Sequence, residues 1–541
     1  MVLQQFKKYL LLLLISFFIL CFSDSIAQDT LINSNLPIIF INTNGQIIPD
    51  DDRIVADLGI IYNGEGNINS VDDPFNNYNG KVSIETRGSS SQNYPKKSYS
   101  FETQDDNGNN LNVSLIDLPA ENDWVLYAPY CDKSLIRNVL TYELGRELGQ
   151  YAPRTKYCEL VLNDEYLGIF VLVEKIKRDD IRVNISELEE TDTIGDKLSG
   201  GYIIKLDSFT GGGAGWTSDY SDSIVYQYHY PKFDDIVPAQ KDYIQDFMYQ
   251  FETVMKGDNY ADSINGYPKY VDTESFIDFV ISNELAKNVD GYRKSTYMYK
   301  DRDSIDGHLY MGPLWDFNIA YGNAFYHEGY LTSGWVIISD IYISGYIPFW
   351  MKKLFNDSTV ANQLKCRWME LRQGPLSYNK IVAKIDSCST FLYEAQQRNF
   401  TRWNILGMQI WPNYYFGETY DEEILLLKLW IGSRLDWMDN NLPGNCDVSA
   451  IDNNTPGSQK HLTIFPNPVN GNTFWLKTPM ITSKAKLSVI DGFGKLVSID
   501  YLDESDYDQL KELDISGYEA GIYIVKIEDT RGYWIQKLII E

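Results

Sequence analysis

NELAKNVDGYRKSTYMYKDRDSIDGHLYMGPLWDFNIAYGN, Asn283 to Asn323, is the stretch on which the reading of this chain turns. Its pattern predicts a helix end, a strand over Ser295 to Lys300, a turn, a return strand over His308 to Met311 and a Gly-Pro break. STYMYK alternates small or polar residues with aromatics, the period of a half-buried strand, and Asp306-Gly307 supplies a hairpin turn between the two runs. Asp290 and Asp316 then sit at the edges of the hairpin, with their carboxylates close together.

Two acids held by a hairpin suit a hard cation such as Mg²⁺, which prefers carboxylate oxygens and keeps positions open for substrate phosphates. The plainer alternative makes Trp315 and Phe317 core residues and the aspartates turn caps. Asp301, Asp303 and Asp306 lack the spacing of a calcium loop and read as a polar hairpin tip.

Upstream, IETRGSSSQNYPKKSYSFET predicts two strands around a Gly-Ser bend, where Arg87, Lys96 and Lys97 have the chemistry to bind phosphate. No GxxxxGK[ST] motif is present, so this is not a P-loop, and surface salt bridges are the alternative. ENDWVLYAPYCDKSLIRNVLTYELGRELG predicts a strand and then an amphipathic helix with Leu135, Val139, Leu140 and Leu144 on one face. LVLNDEYLGIFVLVEKIKRD predicts a strand, an Asn163-Asp164 turn and a second strand ending at Glu174, an acid in an apolar run that needs a cation partner. Farther on, segments 240–255, 273–288, 350–355, 358–372, 377–399 and 422–440 read as helices.

These blocks, in this order and with DGYRKSTYMYKD and LYMGPLWDFN, resemble the spore-coat CotH kinase-like family over about residues 36–442. The resemblance implies an α+β fold with an atypical protein-kinase-like domain that uses ATP and Mg²⁺ to phosphorylate a hydroxyl of an exported protein. It implies Asp316 and Asn318 at the metal, Asp290 as the catalytic residue at the acceptor hydroxyl, Arg87 and Lys97 at the phosphates, and Glu174 paired with Lys97. Family members often carry a second acid where this chain has Asn318, and some carry an acid where Lys205 stands. Two further readings remain open: a surface adhesin or scaffold that keeps the fold without turnover, and a module of a surface polysaccharide system.

Composition narrows the partners. A formal net charge of −28 with 47 basic residues in 541 argues against nucleic acid and anionic membranes, which need a basic footprint. The opening MVLQQFKKYLLLLLISFFILCFSDSIAQ reads as a signal peptide over residues 1–27, too short in its apolar run for a membrane span, and no later segment is long enough. Five cysteines follow it with no CxxC pair; Cys366 and Cys388 flank one helical segment and are expected to be bridged.

Residues 443–461 are Asn-, Gly- and Ser-rich and read as a linker, after which short strands predict a small all-β, Ig-like sandwich over residues 462–541. FPNP, DGFGK, LDISGYEAGIYIVKI and the terminal KLII resemble the type IX secretion sorting domain. That resemblance implies export through the periplasm, a secreted or cell-surface location, and the type IX secretion machinery as a partner.

Overall fold

Seven strands close into a barrel in the first half of the chain: β1 (Ile38–Asn42), β2 (Ile54–Ile61), β3 (Tyr78–Arg87), β4 (Ser98–Gln104), β5 (Asp123–Tyr127), β6 (Thr155–Leu162) and β7 (Glu165–Glu174). In this computed structural model, residues 31–208, 214–339, 347–446 and stretches of 462–540 are described; the expected signal peptide and most of the expected linker lie outside them. Neighbouring strands run antiparallel in the order β1-β2-β3-β4-β5-β7-β6, and a parallel pairing of Ile38–Ile41 with Glu159–Leu162 closes the ring. Alternate residues such as Ile39, Ile60, Ile84, Phe101, Trp124 and Phe170 fill its interior, as the twofold period of a strand requires. Asn163 and Asp164 both take positive φ, 49° and 65°, the type I′ geometry that joins β6 to β7.

Between β5 and β6 the chain forms α1 (Arg137–Glu147). The amphipathic expectation fails in two ways. Leu135 precedes the helix at φ 64°, and the polar side is as buried as the apolar one, with Arg137, Asn138, Thr141 and Tyr142 all enclosed. These polar groups are spent on holding a later loop, as described below.

A second, five-stranded antiparallel sheet follows: β8 (Tyr202–Leu206), β9 (Gly215–Ser218), β10 (Ser221–Tyr230), β11 (Thr296–Lys300) and β12 (Leu309–Met311), in the order β9-β10-β8-β11-β12. Helices α2 (Pro238–Lys256) and α3 (Thr273–Ala286) lie between β10 and β11 in sequence, and α3 starts on an Asp272 cap that accepts from the Ser275 amide at 2.7 Å. The hairpin expected from STYMYK forms, with Met298 opposite Met311 and Lys300 opposite Leu309.

The helical segment comprises α4 (Phe349–Phe355), α5 (Ser358–Gln373), α6 (Tyr378–Phe391), α7 (Tyr393–Arg402) and α8 (Tyr420–Asn441). The helix expected over 377–399 is broken at the buried Leu392. The expected Cys366–Cys388 bridge is also corrected: Cys366 bonds Cys446, and Cys388 is free. The chain leaving α8 is drawn back along α5, where the Asn445 amide donates to the Asn362 side chain at 2.7 Å and Lys365 donates to the Asp439 carbonyl at 3.0 Å. That return brings the Cys366 and Cys446 Cα atoms to 4.9 Å.

The chain divides into two units, Met1–Cys446 and Asp447–Glu541. In the second, a three-stranded sheet (463–465, 473–477 and 510–514) and a four-stranded sheet (485–491, 496–502, 521–529 and 532–540) share one core that includes Ile464, Phe474, Leu487, Val525 and Leu538. The fold as a whole is α+β.

Candidate active site at one end of the second sheet

Strand register brings three acids together. Leu206, the last residue of β8, pairs with Thr296, the first of β11, so Asp207 leaves the sheet at the end where the 290–295 segment enters it. Met311, the last residue of β12, points its chain to that same end, and Asp316 follows five residues on. Asp207, Asp290 and Asp316 thus arrive from three separate segments.

At this end of the sheet the Asp316 carboxyl is raised. The residue is solvent-exposed, although protein surrounds its carboxyl closely enough to disfavour the charge. Burial raises its carboxyl from 3.8 to about 6, and the Asp290 and Asp207 carboxylates push the same way, against Arg87 and Lys294. Its backbone is in the left-handed region at φ 66°, a conformation that needs outside support in a non-glycine residue. Helix α1 provides it: the Asp316 amide donates to the Tyr142 hydroxyl at 3.1 Å and the Phe317 amide donates to Asn138 Oδ1 at 2.7 Å. Asn288 Nδ2 reaches the Asp316 carbonyl at 3.4 Å, and Arg137 Nε holds the Ala320 carbonyl at 3.0 Å. This is why α1 buries polar side chains.

Asp290 is half-buried and ion-paired with Arg293 at 2.5 Å, and Asp207 with Lys205 at 3.1 Å. Asn318 Nδ2 donates to Cys131 Sγ at 3.7 Å, and the Asn318 carbonyl accepts from Asn323 Nδ2 at 2.8 Å.

The barrel supplies the opposing charge. Arg87 ends β3 with its guanidinium over the Trp315 ring, 5.5 Å from the centroid, and its field reaches Asp316, Tyr142 and Tyr297. Its Nη1 is buried and has no hydrogen-bond partner, and the Tyr127 hydroxyl at the end of β5 is likewise unpaired. Burial and the charge of Asp132, followed by Cys131 and Asp316, push the Tyr127 phenol well above its ordinary range. A buried guanidinium nitrogen and a phenol without partners are donors waiting for an acceptor.

The expected Lys97–Glu174 pair does not form. Glu174 is fully buried and its carboxylate is taken by Arg154 at 2.9 Å and Arg182 at 3.1 Å, while the Arg154 amide adds a bond at 2.9 Å. Lys97 instead donates to the Gln92 carbonyl within the bend. Lys96 is buried, bonded to the Ile169 carbonyl at 2.5 Å and Asn399 Oδ1 at 2.8 Å, with its amine lowered to about 7 by burial. It belongs to the packing of α7 on the barrel.

Asp207 was not singled out by sequence. Its one signal is an acid directly after the apolar β8 run, beside Lys205. A separate surface depression of about 630 Å³, lined by Glu143, Glu147, Lys380, Lys384 and Cys388, contains none of the three acids.

Residues 84–438 match the family model described as CotH kinase protein, and that span contains Arg87 and all three acids. The chain belongs to the CotH kinase family. Residues 463–541 match the secretion system C-terminal sorting domain, so this CotH protein is secreted or held at the cell surface and engages the type IX secretion machinery. No curated protein matches the chain. Among the described residues no helix is long and apolar enough to cross a membrane.

Asp316, with Asp290 and Asp207 acting on it, offers carboxylate oxygen of the kind a hard cation takes. After burial, the Asp290 carboxylate is the largest influence raising Asp316, a repulsion that a bound cation would relieve, and Asn318 stands two residues beyond Asp316. Among the described residues no group of three or more His, Cys, Asp or Glu side chains is assembled to hold a metal unaided. Oxygens of Asn318 and of a bound phosphate would therefore complete any shell.

Proposed function

We propose that this protein is an exported phosphotransferase that moves the γ-phosphate of ATP to a hydroxyl of a secreted or surface protein. The observation that carries this reading is the meeting of Asp207, Asp290 and Asp316 with an Arg87 guanidinium that has an unpaired nitrogen. Membership of the CotH kinase family supports it.

Phosphoryl transfer asks for alignment and charge neutralisation more than covalent chemistry. Asp316 and Asn318 would hold Mg²⁺, which when bound neutralises and aligns the phosphate oxygens. Arg87 donates to a phosphate oxygen through Nη1, and Trp315 beneath it keeps the guanidinium plane fixed. Lys97 borders the same bend, since Ser98 pairs with Arg87, and reaches a phosphate by releasing the Gln92 carbonyl. Asp290, oriented by Arg293, accepts the hydrogen bond of the acceptor hydroxyl and takes its proton as the new P–O bond forms and the bond from the γ-phosphorus to the β–γ bridging oxygen breaks, releasing ADP. Glu174 acts at a distance, fixing β7 through Arg154 and Arg182.

The test is Mg²⁺-dependent thermal stabilisation by ATP together with transfer of label from γ-labelled ATP to protein acceptors. Stabilisation and transfer support the kinase. Neither effect at millimolar ATP would leave an adhesin or scaffold that keeps the fold without turnover.

A further inference from the structure

Beside the acids lies a cluster of aromatic side chains that the proposed chemistry does not use. Phe325, Trp411, Tyr414, Tyr415 and Phe416 are 40–51% exposed, although rings of this size are normally well covered. They come from two loops tied to each other: the Phe325 amide donates to the Pro412 carbonyl at 2.9 Å, the Tyr414 amide to the Asn323 carbonyl at 2.8 Å, and Ala324 bridges Asn413. A bond from the Gly407 amide to the Gly417 carbonyl at 2.7 Å closes the second loop at its base. The rings are thus held on a fixed backbone.

The cluster is continuous with the acids. Tyr326 stacks on Trp411 at 5.9 Å, and burial, then the Asp290 and Asp316 carboxylates, raise its phenol. Tyr94, whose hydroxyl holds the Trp411 carbonyl at 2.7 Å, also feels Asp316. The strip therefore begins where the acceptor hydroxyl must enter.

We propose that this strip docks the acceptor as an extended peptide, holding apolar or aromatic side chains that flank the phosphorylated hydroxyl; this rests on the phosphotransferase reading. The chemistry of the rings favours a peptide over a glycan. Tyr414 and Tyr415 meet at 89° and Phe325 and Tyr326 at 87°, while Tyr326 stacks on Trp411 at 11° and Tyr330 on Tyr414 at 12°, so the exposed rings offer both faces and edges. Phe325 and Phe416 bring no hydrogen-bonding group, whereas a sugar subsite surrounds its stacking ring with them. Met408, 51% exposed at the base of the same loop, adds an adaptable apolar contact.

The experiment uses the full chain and two fluorescein-labelled decapeptides of Gly, Asn and one Ser, the first with Phe on both sides of the Ser and the second with Asn in those places. Binding is read by anisotropy without nucleotide, and transfer by γ-labelled ATP with Mg²⁺. The Phe peptide is expected to bind at least about tenfold tighter than the Asn peptide, a typical effect of a buried aromatic anchor. Trp411→Ala and Tyr414→Ala should each erase that difference and raise KM for the peptide, while the ATP-induced thermal shift stays as in the wild type. Equal binding of the two peptides, or unchanged binding in both folded variants, overturns the proposal, as does competition by a neutral oligosaccharide with no preference between peptides. Selective binding that both variants lose, without transfer to either peptide, upholds the docking strip and counts against the phosphotransferase.

Discussion

Asp316 pits stability against function. Its carboxyl is raised, so the folded state holds the proton more tightly than the unfolded chain, and its contribution to stability falls as pH rises from near 4 to about 6. Above that window the ionised group carries a penalty that solvent at this exposed residue keeps small. Asp316→Asn should therefore raise the melting temperature only slightly at pH 7.5 and leave it close to wild type at pH 4, while abolishing Mg²⁺-dependent ATP stabilisation; differential scanning fluorimetry at both pH values checks this. Asp290→Asn should keep ATP binding and lower turnover by about 10²- to 10⁴-fold, the usual range for losing a group that handles the acceptor proton. Arg87→Met should raise KM for ATP by at least about tenfold, since a charge-assisted bond is worth roughly 1.5–3 kcal/mol. The closeness of Asp290 and Asp316 was legible in the sequence because one hairpin carries both. Asp207 was not, because its place depends on Leu206 pairing with Thr296, a register between segments 90 residues apart that no local pattern encodes. Glu174 was rightly read as needing a cation, but spacing alone could not choose Arg154 and Arg182 over Lys97.

At the level of elements, α3 and α8 clamp the approach to Asp290. Glu284 of α3 and Arg434 of α8 are fully buried and paired at 3.1 Å. Glu284 also accepts from the Tyr292 hydroxyl at 3.1 Å and from the Val336 and Ile337 amides at 3.0 and 2.8 Å. Arg434 holds the Thr332 and Gly334 carbonyls at 2.9 and 2.8 Å. Tyr292 sits at φ 69° two residues past Asp290, so the clamp supports a left-handed residue next to the acceptor acid. Arg434→Ala should cost about 3–5 kcal/mol by urea unfolding, because it strands a buried carboxylate. The pair Arg434→Leu with Glu284→Gln should recover part of that loss. Helix existence was legible from the period of apolar residues in α3 and α8. The role of α1 was not, since its polar residues resemble a solvated face until the 316–321 loop is placed against them.

For the whole molecule, barrel closure is the feature least visible in the sequence: β1 and β6 pair in parallel across about 120 residues, and adjacency in the chain says nothing of it. The change to short strands after residue 462 was plain from composition, and the second unit begins at Asp447. A chain ending at Cys446 should melt and bind Mg²⁺-ATP like the full-length protein. One ending at Asn445 loses the Cys366–Cys446 bond, which encloses a sequence separation of 80, and should be weaker by about 4 kcal/mol in denaturant titration. The same bond has a mechanical meaning for a protein carried by its tail. Tension applied beyond residue 446 passes through the sulfurs into α5, leaving residues 367–445 inside a covalent loop that bears no load. Pulling on the tail then cannot peel α8 from its end, and Arg434 keeps its grip on the loop beside Asp290 while the chain is under traction.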